Sequence, residues 1–187
     1  MRINLIFDLL MFITTFTISA QKNKIKFQSI NQFAVIGGES KIATAFQTVN
    51  GIECSNFLLG VGIGVDNYRY RTFPLFLDGR WNFGEEKRGF IYGDIGYNFP
   101  MKNKPGKEIY YYDSYQFTGS IYTDIGIGFQ VPLYKRSSFL ISGGYCYKKL
   151  QSKIGVTACP FIGPCYVDYS KYDFSFNRIV LKAGFVF

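Results

Sequence analysis

From Phe57 onward the chain alternates, with a period of two, between apolar residues and small or polar ones, and this alternation constrains its fold most. The pattern occupies Phe57–Asp66, Phe73–Phe83, Phe90–Phe99, Ser120–Val131, Phe139–Lys148 and Arg178–Phe187. In each segment the odd-numbered residues share one face, such as Phe57, Leu59, Val61, Ile63 and Val65, or Ile91, Gly93, Ile95, Tyr97 and Phe99. None of the 32 odd positions is charged, although the chain is 18% charged and about six would be expected without patterning. The even face carries Gly60, Gly62, Gly64, Gly126, Gly128 and Gly144, together with Asp66, Asp78, Asp94, Asp124, Arg80, Lys148, Arg178 and Lys182. Twenty Phe, 15 Tyr and 20 Gly suit strands and tight turns better than helices. Beyond the N-terminus no uncharged apolar run approaches the roughly 20 residues of a spanning helix.

Two closed sheets fit such strands. A soluble barrel faces its apolar side inward, whereas a membrane barrel turns that side to lipid and fills its lumen with polar groups. Glycine on the charged face, aromatics gathered at segment ends, and alternating connection lengths favour the second. Gly84–Gly89 and Leu133–Ser138 are short, while Pro100–Gly119 and Gln151–Ser175 are long. With both chain ends on the inner side, the two long loops and Asn67–Thr72 lie outside. Phe33–Gly37 and Ala43–Gly51 supply a first hairpin, although Gln47–Gly51 alternates poorly. Closure and an even strand count then give eight strands. The expectation is an all-β, eight-stranded antiparallel up-and-down transmembrane barrel.

Residues 1–20 read as a signal peptide, with Arg2, an apolar run over Leu9–Phe16 and cleavage after Ile18-Ser19-Ala20. Residues 21–187 form the barrel. Removing the leader takes away Arg2 and Asp8 and leaves the net charge at +8. Export permits disulfides. Cys159 and Cys165 flank a Pro- and Gly-containing stretch and are the candidate pair, while Cys54 and Cys146 have no pairing legible in the sequence.

The segments Phe57–Asp66, Pro74–Arg80, Tyr92–Tyr97 and the closing Phe185-Val186-Phe187 resemble the outer-membrane β-barrel domain family, of the OmpX and OmpA-transmembrane-domain type. The resemblance spans about Gln47 to Phe187. It implies a Gram-negative outer membrane, with lipid and lipopolysaccharide as surroundings. It also implies insertion by the barrel-assembly machinery, which reads a C-terminal aromatic strand. Here Gly184 directly precedes Phe185, so the glycine spacing of that signal is only partly matched. The family's motifs specify architecture, and no binding residues carry over from it.

Function classes narrow accordingly. Lys and Arg are scattered rather than arranged in a basic stripe, which argues against a nucleic-acid partner. The chain has no His and no CxxC pair, so neither a zinc site nor a cofactor is expected. The known outer-membrane proteases, phospholipases and lipid A acyltransferases or deacylases rely on His. Asp66, Asp78, Asp94 and Asp124 could form a catalytic carboxylate cluster, but four acids matched by bases on one face read better as a lumenal charge network with Arg80, Arg178 and Lys182. Gly60–Gly64 lacks the Lys and helix of a phosphate loop. Gly79-Arg80-Trp81 matches a lipocalin G-x-W motif but falls too late in the chain. Tyr110, Tyr111, Tyr112 and Tyr115, beside Lys102, Lys104 and Lys107, are candidate loop contacts for an extracellular protein or glycan, and Tyr166, Tyr169 and Tyr172 could join them. The expected function is non-enzymatic, either envelope-structural or adhesion and partner binding through the loops. The alternatives are a narrow small-solute channel, a secreted lipocalin-like ligand-binding barrel, a PorT-like secretion-apparatus component, and a hydrolase of lipid or peptide.

Overall fold

The computed structural model describes residues 25–39, 41–84, 86–101, 114–134, 137–159, 163 and 165–187. The expected leader lies outside them. The strands are β1 (Ile25–Gly38), β2 (Ile42–Cys54), β3 (Phe57–Asp66), β4 (Thr72–Phe83), β5 (Gly89–Pro100), β6 (Ser114–Tyr134), β7 (Ser137–Ala158) and β8 (Tyr166–Val186). Each pairs antiparallel with its sequence neighbours, and β8 closes on β1 from Ile30↔Val186 to Gly38↔Arg178. The result is an eight-stranded up-and-down barrel with no open edge around its girth.

From β3 to β8, the odd face of the membrane-level segments points outward. Leu75, Ile95 and Ile125 are 45, 58 and 61% exposed, whereas Asp78, Asp94 and Asp124 are 0, 3 and 1% exposed. This polarity is the reverse of what a soluble, apolar-centred barrel requires, so the lipocalin-like alternative falls.

Two expectations need correction. The first hairpin is longer than Phe33–Gly37 and Ala43–Gly51. Gln47–Gly51 alternates poorly because apolar Val49 points inward while polar Thr48 and Asn50 lie on the outward side. The pairing of β1 with β2, and of β2 with β3, joins odd to even residues (Ala34↔Ala45, Phe46↔Val65). The parity of β2 is therefore inverted, with Phe46 outside and Gln47 inside. Part of Pro100–Gly119 and most of Gln151–Ser175, taken as loops, are also strand. Strand β6 begins at Ser114, and β7 and β8 together occupy most of Gln151–Ser175. The wall thus rises on one side of the mouth as a three-stranded external sheet.

The inner turns are tight. Ser55 adopts φ 59°, Gly84 φ 90° and Lys87 φ 54°, and Lys87 N donates to Gly84 O at 3.1 Å. The β3–β4 ladder skips the level of Pro74, which has no N–H, between Ile63↔Leu75 and Asp66↔Thr72.

Candidate functional site

The lumen is packed with paired charge. Near the mouth, Asp66 accepts bonds from Lys148 Nζ (3.1 Å), Arg178 Nη1 and the Tyr68 amide (2.7 Å). Lys148 Nζ also donates to Tyr68 O, Tyr70 O and Thr72 Oγ1 at 3.3, 3.2 and 2.9 Å. One buried ammonium on β7 therefore binds the β3–β4 loop into the mouth. Tyr68 lies beneath that loop at 1% exposure, with Arg178 over its ring at 5.3 Å. Gly38 makes room for it, because a Cβ there would fall 2.3 Å from the Tyr68 hydroxyl.

At mid-height Asp78, Asp94 and Asp124 lie in register on β4, β5 and β6. Three adjacent carboxylates repel one another. Lys182 crosses from β8 to reach Asp124 at 2.8 Å and Asp94 at 3.4 Å, and Arg80 takes Asp78 through Nε and Nη2 at 3.0 Å. Tyr92 and Tyr122 donate to the two oxygens of Asp124 at 3.0 and 3.3 Å. Gln32 Nε2 donates to Gln47 Oε1, and Gln47 Nε2 to the Tyr122 hydroxyl, each at 2.8 Å. Lower down, Glu53 accepts from Gln28 and Asn82 at 2.6 and 3.2 Å.

All seven residues expected in the lumenal network thus point inward, and each ion has an opposite partner within 3.4 Å. Lys148 belongs with them. Its even position carried the signal, as did those of Tyr92, Tyr122 and Cys146. Tyr68 sits in a turn, where parity says nothing. The neutral partners Gln32 and Gln47 lay in the poorly patterned hairpin. Cys146 Sγ accepts from Arg178 Nη2 at 2.9 Å and is 2% exposed. Among the described residues no group of His, Cys, Asp and Glu could hold a metal ion.

Outside the rim the surface changes character. Among the described residues, β8 from Tyr166 to Asn177 pairs only with β7, and Tyr166, Val167, Tyr169 and Tyr172 are exposed. Cys159 and Cys165 form a disulfide at the tip of the β7–β8 hairpin. The backbone of Tyr115 belongs to β6, opposite Ile154, while Tyr110, Tyr111 and Tyr112 lie outside the described residues. A 200 Å³ hollow at the mouth is lined by Glu39, Tyr68, Arg69 and residues 173–177. Arg69 lies over the rings of Tyr70, Phe174 and Phe176 at 5.7 to 6.0 Å.

The barrel wall carries an apolar band between two aromatic belts. Phe57, Trp81, Phe129, Phe185 and Phe187 gather toward the inner end, and Phe73, Tyr97, Phe99 and Tyr145 toward the outer end, all exposed. Contacts run along the belts, from Phe57 to Trp81 at 6.5 Å and from Phe139 to Phe185 at 5.4 Å. Water would penalise such a continuous exposed apolar band, and lipid solvates it. This is an eight-stranded transmembrane β-barrel fold. Two solved structures are similar to it over most of their length. The outer membrane protein AlkL, determined by solid-state NMR in lipid bilayers, shares 12% identity, with 88% of this chain and 87% of that one covered and a TM-score of 0.46. The outer membrane protein OprG from Pseudomonas aeruginosa shares 14% identity, with 86% of this chain and 93% of that one covered and a TM-score of 0.48. No family model and no curated protein matches the chain.

Proposed function

We propose that the protein is a non-enzymatic component of a Gram-negative outer membrane, exported by its leader, and that it works through the external β6–β8 sheet in adhesion or partner binding. One contrast carries this reading. The lumen is occupied by large side chains and mutually paired charges, including Phe76, Tyr92, Tyr122, Lys148 and Arg178. The external part of β8, in contrast, offers four large exposed side chains and a backbone edge unpaired among the described residues. An eight-stranded barrel has room inside only for side chains, so a closed lumen suits a scaffold rather than a conduit. An unpaired edge suits binding, because natural proteins usually cover or blunt one.

Surface display in a non-adherent Gram-negative host tests the reading. Cells carrying the protein should adhere to a protein- or glycan-coated surface. Replacing residues 151–175 by a short turn should abolish adhesion while the barrel stays in the membrane. Equal adhesion by both would refute it. In planar bilayers the purified protein should remain silent, and discrete conductance steps would support the narrow-channel alternative instead.

A further inference from the structure

The external edge of β8 points to a specific occupant, and the inference rests on the adhesion reading above. The last β1–β8 pair is Gly38↔Arg178. Among the described residues, β8 from Tyr166 to Asn177 is bonded to β7 alone, so its other side presents a row of backbone groups with no partner among them. Residues Tyr166–Asp173 are exposed throughout. Such a row is a template for an added strand.

The charges along it select the partner. Lys171 lies opposite Lys153 on β7, a like charge, and among the described residues it has no carboxylate partner. Asp173 is held by Lys149 at 3.2 Å, yet its side chain remains 54% exposed. Both belong to the outward-facing, odd side of β8. When a strand pairs antiparallel with a copy of itself across a two-fold axis, facing side chains are preserved only if the axis passes through a residue. An axis at Asp168, Lys171 or Asp173 sets like charges against each other. An axis at Tyr172 sets Lys171 opposite Asp173 of the second copy, twice, and brings the two Tyr172 rings together on the other face. Within this stretch no other centre pairs Lys171 with an acid.

We propose that β8 of one molecule pairs antiparallel with β8 of a second copy, centred on Tyr172. Topology adds a consequence. Two copies in one membrane have the same orientation, so their β8 strands run parallel. Copies in facing membranes run antiparallel. The pairing is therefore a homophilic contact between opposed membranes. Tyr145, on the outer belt, is level with Ile179. With a rise of about 3.3 Å per residue and a tilt of about 40°, the ladder holds the two surfaces roughly 35 Å apart. One strand pair is a small interface, and many copies acting together supply the strength.

The test uses the full barrel in phosphatidylcholine vesicles, followed by light scattering. Wild-type vesicles should cluster. K171E sets two acids against each other at both contacts, and D173K sets two bases; each variant alone should lose clustering. A mixture of K171E vesicles with D173K vesicles should cluster, because both contacts become attractive again. Heat-modifiable gel mobility verifies that each barrel is folded. Dispersed wild-type vesicles, clustering by K171E alone, or a dispersed mixture of folded variants would each overturn the proposal. If vesicles stay dispersed while displayed protein still adheres through residues 151–175, homophilic pairing fails and adhesion stands. If neither occurs, both fail.

Discussion

Lys182 shows how a single side chain decides whether this lumen can exist. It is 2% exposed and contacts both Asp94 and Asp124. Removing it leaves adjacent buried carboxylates uncompensated, which is far more costly than removing a whole pair. K182M should destabilise the barrel by about 3–5 kcal/mol in urea titrations from lipid vesicles. Adding D124N should recover a substantial part, because the two sites share one network. Equal losses in the single and double variants would contradict the network. Gly62 offers a steric counterpart. A Cβ there would lie 2.3 Å from the Phe76 ring. G62A should therefore cost about 1–3 kcal/mol through overpacking, and G62A/F76L should regain most of it. The inward residues were legible in the sequence wherever parity reached them, as with Asp78, Arg80 and Lys148. Tyr68 was not, because its burial follows from the loop bond to Lys148 rather than from any strand period.

At the scale of elements, β3 to β8 were readable because lipid demands an uncharged outer face and closure demands strict alternation. Strand β2 obscured its own pattern, since its turn inverts parity and its inward residues include the neutral Gln47 and Val49. The outer lengths of β6, β7 and β8 read as loops for a different reason. Above the membrane neither face must be apolar, so Tyr, Lys and Ser alternate without a visible period, and hairpin pairing alone makes them strands. The depth of the lipid-facing band gives a prediction. L77R, at the middle of β4, should cost about 2–4 kcal/mol on folding into vesicles, whereas I52R, near the inner rim, should cost about 0–1 kcal/mol. Equal penalties at the two depths would argue against a lipid-spanning wall.

For the whole molecule, a ring of strands turns its apolar side chains outward and neutralises its charges within, and one side of that ring continues into solvent. The first property allows the chain to cross a membrane. In the proposed function the second closes the lumen and the third provides a surface for contact. All depend on the polarity of the wall. The most direct measurement places a single tryptophan at Ile95, in the variant W81F/I95W, within vesicles containing phospholipid brominated along its acyl chains. The account predicts strong quenching by the deepest bromines and little by aqueous iodide. Efficient iodide quenching with no response to brominated lipid would contradict it.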